Sequence, residues 1–127
     1  MKKILSVLLG ALVALMLVGC GSNVDDATAD KYIEQAKAVV ENLNNENYED
    51  IQAQFDAKMK ANLTTEQMAE LAPIIEASGQ FQEFDKQSVE EKDGYYTAIL
   101  VAKYSEEKRI YTISFNEQDE IVGLFIK

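Results

Sequence analysis

The apolar residues change their spacing once, at Ser78-Gly79, and that change restricts this chain to few folds. Before Gly79 they recur every three to four residues, the period of a helix; beyond it they alternate, the period of a strand. Asp30 is a natural N-cap for DKYIEQAKAVVENLNN, where Tyr32, Ile33, Ala36, Val39, Val40 and Leu43 form one stripe. A second helix is expected in NYEDIQAQFDAKMKANL, with Tyr48, Ile51, Phe55 and Met59 on a shared face. A third starts at Thr64, which with Gln67 makes a capping box, and carries Met68, Leu71, Ile74 and Ile75. The lone proline, Pro73, predicts a break near Leu71-Ala72, because its ring collides with the preceding turn.

Four strands follow, at about Gln80–Glu90, Tyr95–Tyr104, Arg109–Phe115 and Glu120–Ile126. EKDG, SEEK and NEQD between them are turns of hairpin length, so neighbours must run antiparallel. The fold class is therefore α+β: three N-terminal helices packed on a four-stranded antiparallel meander. Alternation sorts the faces. Tyr96, Ala98, Leu100, Ala102 and Tyr104, with Tyr111, Ile113 and Phe115, form the expected inner face, where the alanines let helices approach closely. Tyr95, Thr97, Ile99, Val101 and Lys103, with Ile110, Thr112 and Ser114, form an outer face suited to solvent or to a weak homodimer. The first strand alternates poorly, as a bulged or edge strand does.

Ahead of this domain lies MKKILSVLLGALVALMLVGC. Lys2 and Lys3 precede 15 uncharged residues, Ile4 to Val18. A membrane span needs about 20 such residues, so this length suits a signal peptide. Leu17-Val18-Gly19-Cys20 resembles the lipobox of bacterial lipoproteins. The resemblance implies cleavage behind Gly19, a thioether-linked diacylglycerol on Cys20, and anchorage to the outer face of the membrane in the bacterial cell envelope. A thiolate is well suited to accept such a lipid, and two acyl chains anchor stably where one does not. The expected organisation is a signal peptide over 1–19, a lipidated N-terminus and flexible tether over 20–29, and one domain over 30–127.

The segment from AKAVVENLNNENYEDIQAQFDAKMKANLTTEQMAEL through SGQF to DEIVGLFI resembles a domain family of unknown function. That family occurs in bacterial lipoproteins and as a leader module ahead of some α/β-hydrolases. The resemblance spans Asp30 to Lys127 and implies the nuclear-transport-factor-two-like (cystatin-like) fold, a curved sheet wrapped as a cone around helices. Ala72-Pro73 departs from relatives that continue the third helix. The family brings no established functional residues.

What remains is chemistry, and the composition removes much of it. The chain has no histidine, hence no imidazole base and no histidine-ligated zinc. One cysteine permits no internal disulfide. The acidic turns lack the spacing of a calcium loop, so neither a metal nor a cofactor is expected. The net charge is −10, and a chain starting at Cys20 keeps 10 basic residues against 22 acidic ones, giving −12. Such a surface repels phosphate backbones, which argues against nucleic acid. Tyr–Asp pairs remain conceivable, Tyr32, Tyr96 or Tyr111 with Asp56 or Asp85. Tyr96, Tyr104, Tyr111 and Phe115 are the candidates to line a pocket on the inner face, offering rings to stack and hydroxyls to hydrogen-bond. Three function classes stand: a membrane-anchored module binding a small ligand, a peptide or an envelope protein; a small enzyme working a cone-shaped cavity without histidine; and a passive structural module of the envelope. The first is the preferred reading.

Overall fold

The computed structural model describes residues 24–127. Five helices and four strands follow one another along them: α1 Asp26–Asn44, α2 Tyr48–Gln52, α3 Ala57–Asn62, α4 Thr65–Ala69, α5 Ala72–Ala77, β1 Phe81–Lys92, β2 Tyr95–Tyr104, β3 Lys108–Phe115 and β4 Ile121–Ile126. The strands form one antiparallel sheet in the order β1-β2-β3-β4, the meander that the short turns require.

Two helical expectations need correction. The first helix begins at Asp26, not after Asp30, so the end of the expected tether is helical. Ala27 and Ala29 are strong helix formers, Asp26 favours the helix N-terminus, and Val24 and Ala29 pack against the core. The second expected helix is two, α2 and α3. Between them Phe55 leaves the helical path and bridges Ile121, which buries its ring to 2 % exposure. Asp56 then caps α3 by accepting the Met59 N–H at 2.8 Å. The third helix breaks before Pro73, as expected, into α4 and α5, with Pro73 in the first turn of α5, where its missing N–H costs nothing. The capping box forms as expected: Gln67 N–H donates to Thr64 Oγ1 at 3.1 Å, and Thr64 N–H donates to Gln67 Oε1 at 2.9 Å.

The helical layer ends at Ser78, and Gly79 turns the chain into the sheet at φ +96°. A Cβ there would stand 2.0 Å from Ser105 Oγ, so only glycine fits. Asp93-Gly94, both at positive φ, close the β1–β2 hairpin as the two-residue turn that matches strand twist. β1 is an edge strand with irregularities at Phe81/Glu83 and Phe84/Lys86, as its poor alternation foretells.

The inner face is the one expected. Ala98, Leu100, Ala102, Tyr104, Tyr111, Ile113 and Phe115 are all buried against the stripe of α1. Ala36 on α1 and Ala98 and Ala102 on β2 are fully buried, so helix and sheet are separated only by small side chains there.

Candidate functional site

Three of the four aromatics expected to line an inner pocket fill the core instead. Tyr111 and Phe115 have no exposed surface and Tyr104 only 3 %, so no opening reaches them. Tyr96 is half-buried and stacks on Tyr32 at 4.5 Å, with Phe115 tilted against Tyr32 at 5.2 Å. The reason is volume. The long helix α1 lies across the sheet and the short helices pack around it, so that apolar side chains and the rings close the interior.

The Tyr104 and Tyr111 hydroxyls are paired with each other, whereas the Tyr48 hydroxyl is buried with no hydrogen-bond partner among the described residues. Tyr104 Oη donates to Asn44 Oδ1 at 2.6 Å and meets Tyr111 Oη at 2.5 Å. With the Tyr104 proton committed to Asn44, Tyr111 is the donor to Tyr104. Burial pushes both phenols above their ordinary range, Tyr111 further because it gives its hydrogen bond away. Neither can act as a base near neutral pH.

The Tyr–Asp pairing also differs from expectation. Tyr32 donates to Asp119 Oδ1 at 2.6 Å, and Lys31 meets the other carboxylate oxygen at 2.8 Å. Lys31 first and Tyr32 second hold the Asp119 carboxyl below its usual range, while burial, reinforced by Asp119, raises Tyr32. Asp56 is a helix cap and Asp85 an exposed partner of Lys108 at 2.7 Å. The Tyr32–Asp119 pair is thus a clasp between α1 and the β3–β4 turn. Asp119 sits there at φ +64°, which aspartate tolerates better than most residues. Among the described residues no group of three or more acidic or cysteine side chains could hold a metal.

The cleft with binding chemistry straddles the open β4 edge of the sheet, with a volume of about 530 Å³. Gly123 and Ser114, paired across β3 and β4, belong to its sheet wall, and Ser114 Oγ hydrogen-bonds Thr97 Oγ1 at 2.9 Å. Phe125, 69 % exposed, and Tyr95, 50 % exposed, supply aromatic surface on this side. The opposite wall is α3 and its end, with Met59 and Leu63 packed toward the core and Lys58 exposed. Gly123 is telling. Its φ is not positive, and a Cβ would meet Ser114 Cβ at 3.5 Å and Phe125 Cε2 at 3.7 Å, ordinary contacts. The backbone does not demand glycine here; its effect is to keep the groove deep.

A second hollow of about 430 Å³, between the α1–α2 loop and α4, is rimmed by Glu46, Glu49, Asp50 and Glu66. Like charges crowd its rim, and Tyr48 and Ala69 supply its apolar wall. Tyr95 is the residue that inner-face reasoning set aside. The signal for it was present in β4, where IVGLFI carries no polar side chain on either face. Cys20, the expected lipid acceptor, lies outside the described residues, as does the apolar run before it. Among the described residues no helix is long and apolar enough to cross a membrane.

Helices followed by a four-stranded antiparallel sheet over one hydrophobic core define a small α+β domain. The chain belongs to the family described as "Protein of unknown function (DUF3887)", whose model matches residues 36–124. It is also similar in fold to a protein from Ruminococcus gnavus ATCC 29149 whose structure was determined by NMR. The two are 25 % identical with a TM-score of 0.67, over 82 % of this chain and 96 % of that one. No curated protein matches the chain.

Proposed function

We propose that this protein is a lipid-anchored module on the outer face of a bacterial membrane, and that it binds through the β4 groove rather than catalysing. One observation carries the reading: the interior is filled, while a groove of about 530 Å³ keeps Phe125 and Tyr95 exposed beside an unblocked Gly123. Its volume lies in the range of small-ligand sites. The lack of any histidine, and phenols held above their usual range, supports binding over catalysis. Support for the anchor is the order Lys2-Lys3, apolar run, Leu17-Val18-Gly19-Cys20. In this reading the sheet wraps the helices as a nuclear-transport-factor-two-like cone whose interior is closed; the element order and the irregularities in β1 and between β3 and β4 support that curvature.

The methionines provide the test. Met59 lines the groove and Met68 is fully buried in the core. With methyl-labelled methionine in the full chain, held in lipid nanodiscs, 3-phenylpropionate is expected to shift the Met59 methyl and leave Met68 in place. Its ring suits the apolar wall and its carboxylate suits Lys58. Phe125→Ser should weaken that titration about tenfold or more, equivalent to about 1.4 kcal/mol. Equal shifts at Met68, or no shift at Met59, overturn the groove.

A further inference from the structure

The two edges of the sheet are treated differently. β1 carries Glu83, Asp85, Lys86, Glu90, Glu91 and Lys92 and two irregularities, devices that discourage another strand from pairing. β4 has no charged residue at all. Lys127 and Ile110 exchange both backbone hydrogen bonds, so alternate residues of β4 face β3 and the others face outward. Register then places the N–H and C=O of Leu124 and Ile126 on the open edge, and no hydrogen bond meets them among the described residues. This edge already accepts a main-chain partner one step away: Ile121 N–H donates to Gln54 C=O at 2.8 Å, and Asp56 N–H donates to Ile121 C=O at 3.1 Å. At Ala57 the chain turns into α3, and the row it was filling beside β4 continues as the groove.

Resting on the groove as the binding site, we propose that its partner is an extended peptide segment of another protein, which adds as a strand to the edge of β4. The outward main-chain groups at Leu124 and Ile126 recognise an extended backbone. Side chains of one parity face Met59 and Leu63, and those of the other face Phe125 and the gap left by Gly123. β4 is six residues long, about 20 Å of strand, which suits a peptide of similar length. Charge adds a preference. Lys58 is exposed and has no ion-pair partner among the described residues, so it can meet an acidic residue at the end of the apolar stretch that lies away from the Asp56 carboxylate. A second folded copy would have to bring its own sheet edge past α3, which stands beside β4.

The test is hydrogen exchange on the full chain in nanodiscs, with a ten-residue peptide alternating Leu and Thr and flanked by glutamates as probe. The amides of Leu124 and Ile126 are expected to exchange at least tenfold more slowly with the peptide bound. A counterpart with proline at every second position, lacking the main-chain donors, should give no protection. Gly123→Val, which fills the groove, should weaken the effect at least tenfold. If the peptide shifts the Met59 methyl but leaves Leu124 and Ile126 exchange unchanged, strand addition is wrong and the groove stands. If it shifts neither, both fall. Slow exchange of the two amides without peptide, together with a dimer in sedimentation, overturns the proposal in favour of a second copy.

Discussion

Leu100→Ala is expected to cost this protein about 2–5 kcal/mol, whereas Thr97→Ala, three residues away on the same strand, costs about 1 kcal/mol. Leu100 lies mid-strand on the inner face of β2, fully buried and opposite Tyr111. Its truncation removes apolar contact and leaves a cavity in a closed interior that has no loose element to collapse into it. Thr97 points the other way and is half-buried, and its replacement loses one hydroxyl pairing, with Ser114. Urea denaturation separates them: a large fall in midpoint for the first, a small one for the second, with unchanged slopes. Equal falls would mean that the sheet faces are assigned the wrong way round.

Cys20→Ala is expected to have an all-or-none effect of a different kind. In the lipoprotein reading Cys20 is the only thiol in the chain and the lipid acceptor, and modification precedes cleavage behind Gly19. The variant should therefore accumulate as an uncleaved precursor that takes up no labelled fatty acid. Without two acyl chains, a cleaved domain of net charge −12 would have little reason to stay on an anionic bilayer. A cleaved, lipid-labelled Cys20→Ala protein contradicts the anchor.

Sequence reasoning succeeded where a local rule had no competitor. The Thr64–Gln67 capping box, the break at Pro73, the turn at Asp93-Gly94 and the alternation of β2 each depend on neighbours within a few residues. It failed where a distant contact decided. Phe55 sits at a helical spacing from Ile51 and Met59, yet pairing with Ile121, far along the chain, is what takes it out of the helix. Ala27 to Ala29 read as tether by their small size, but Val24 and Ala29 have core to pack on. The site was harder still. Tyr96, Tyr104, Tyr111 and Phe115 were correctly placed on the inner face, but strand parity cannot say whether helices leave room above them. The groove depends on α3 standing beside β4, a tertiary placement that follows from the same unforeseen Phe55 bridge.

The central claim is that partners meet this protein at the β4 groove and not on its helical layer. A photoreactive benzoylphenylalanine can replace Phe125, which is 69 % exposed beside the groove, or Ile74, an apolar residue on α5 that is 43 % exposed. Both positions are exposed and apolar and would carry the same photoreactive side chain, so stickiness alone would label both. On irradiation of intact cells, the account predicts a discrete crosslinked adduct from position 125 that disappears with Gly123→Val, and none from position 74. Adducts of equal yield from both positions, or an adduct at 74 with none at 125, would contradict it.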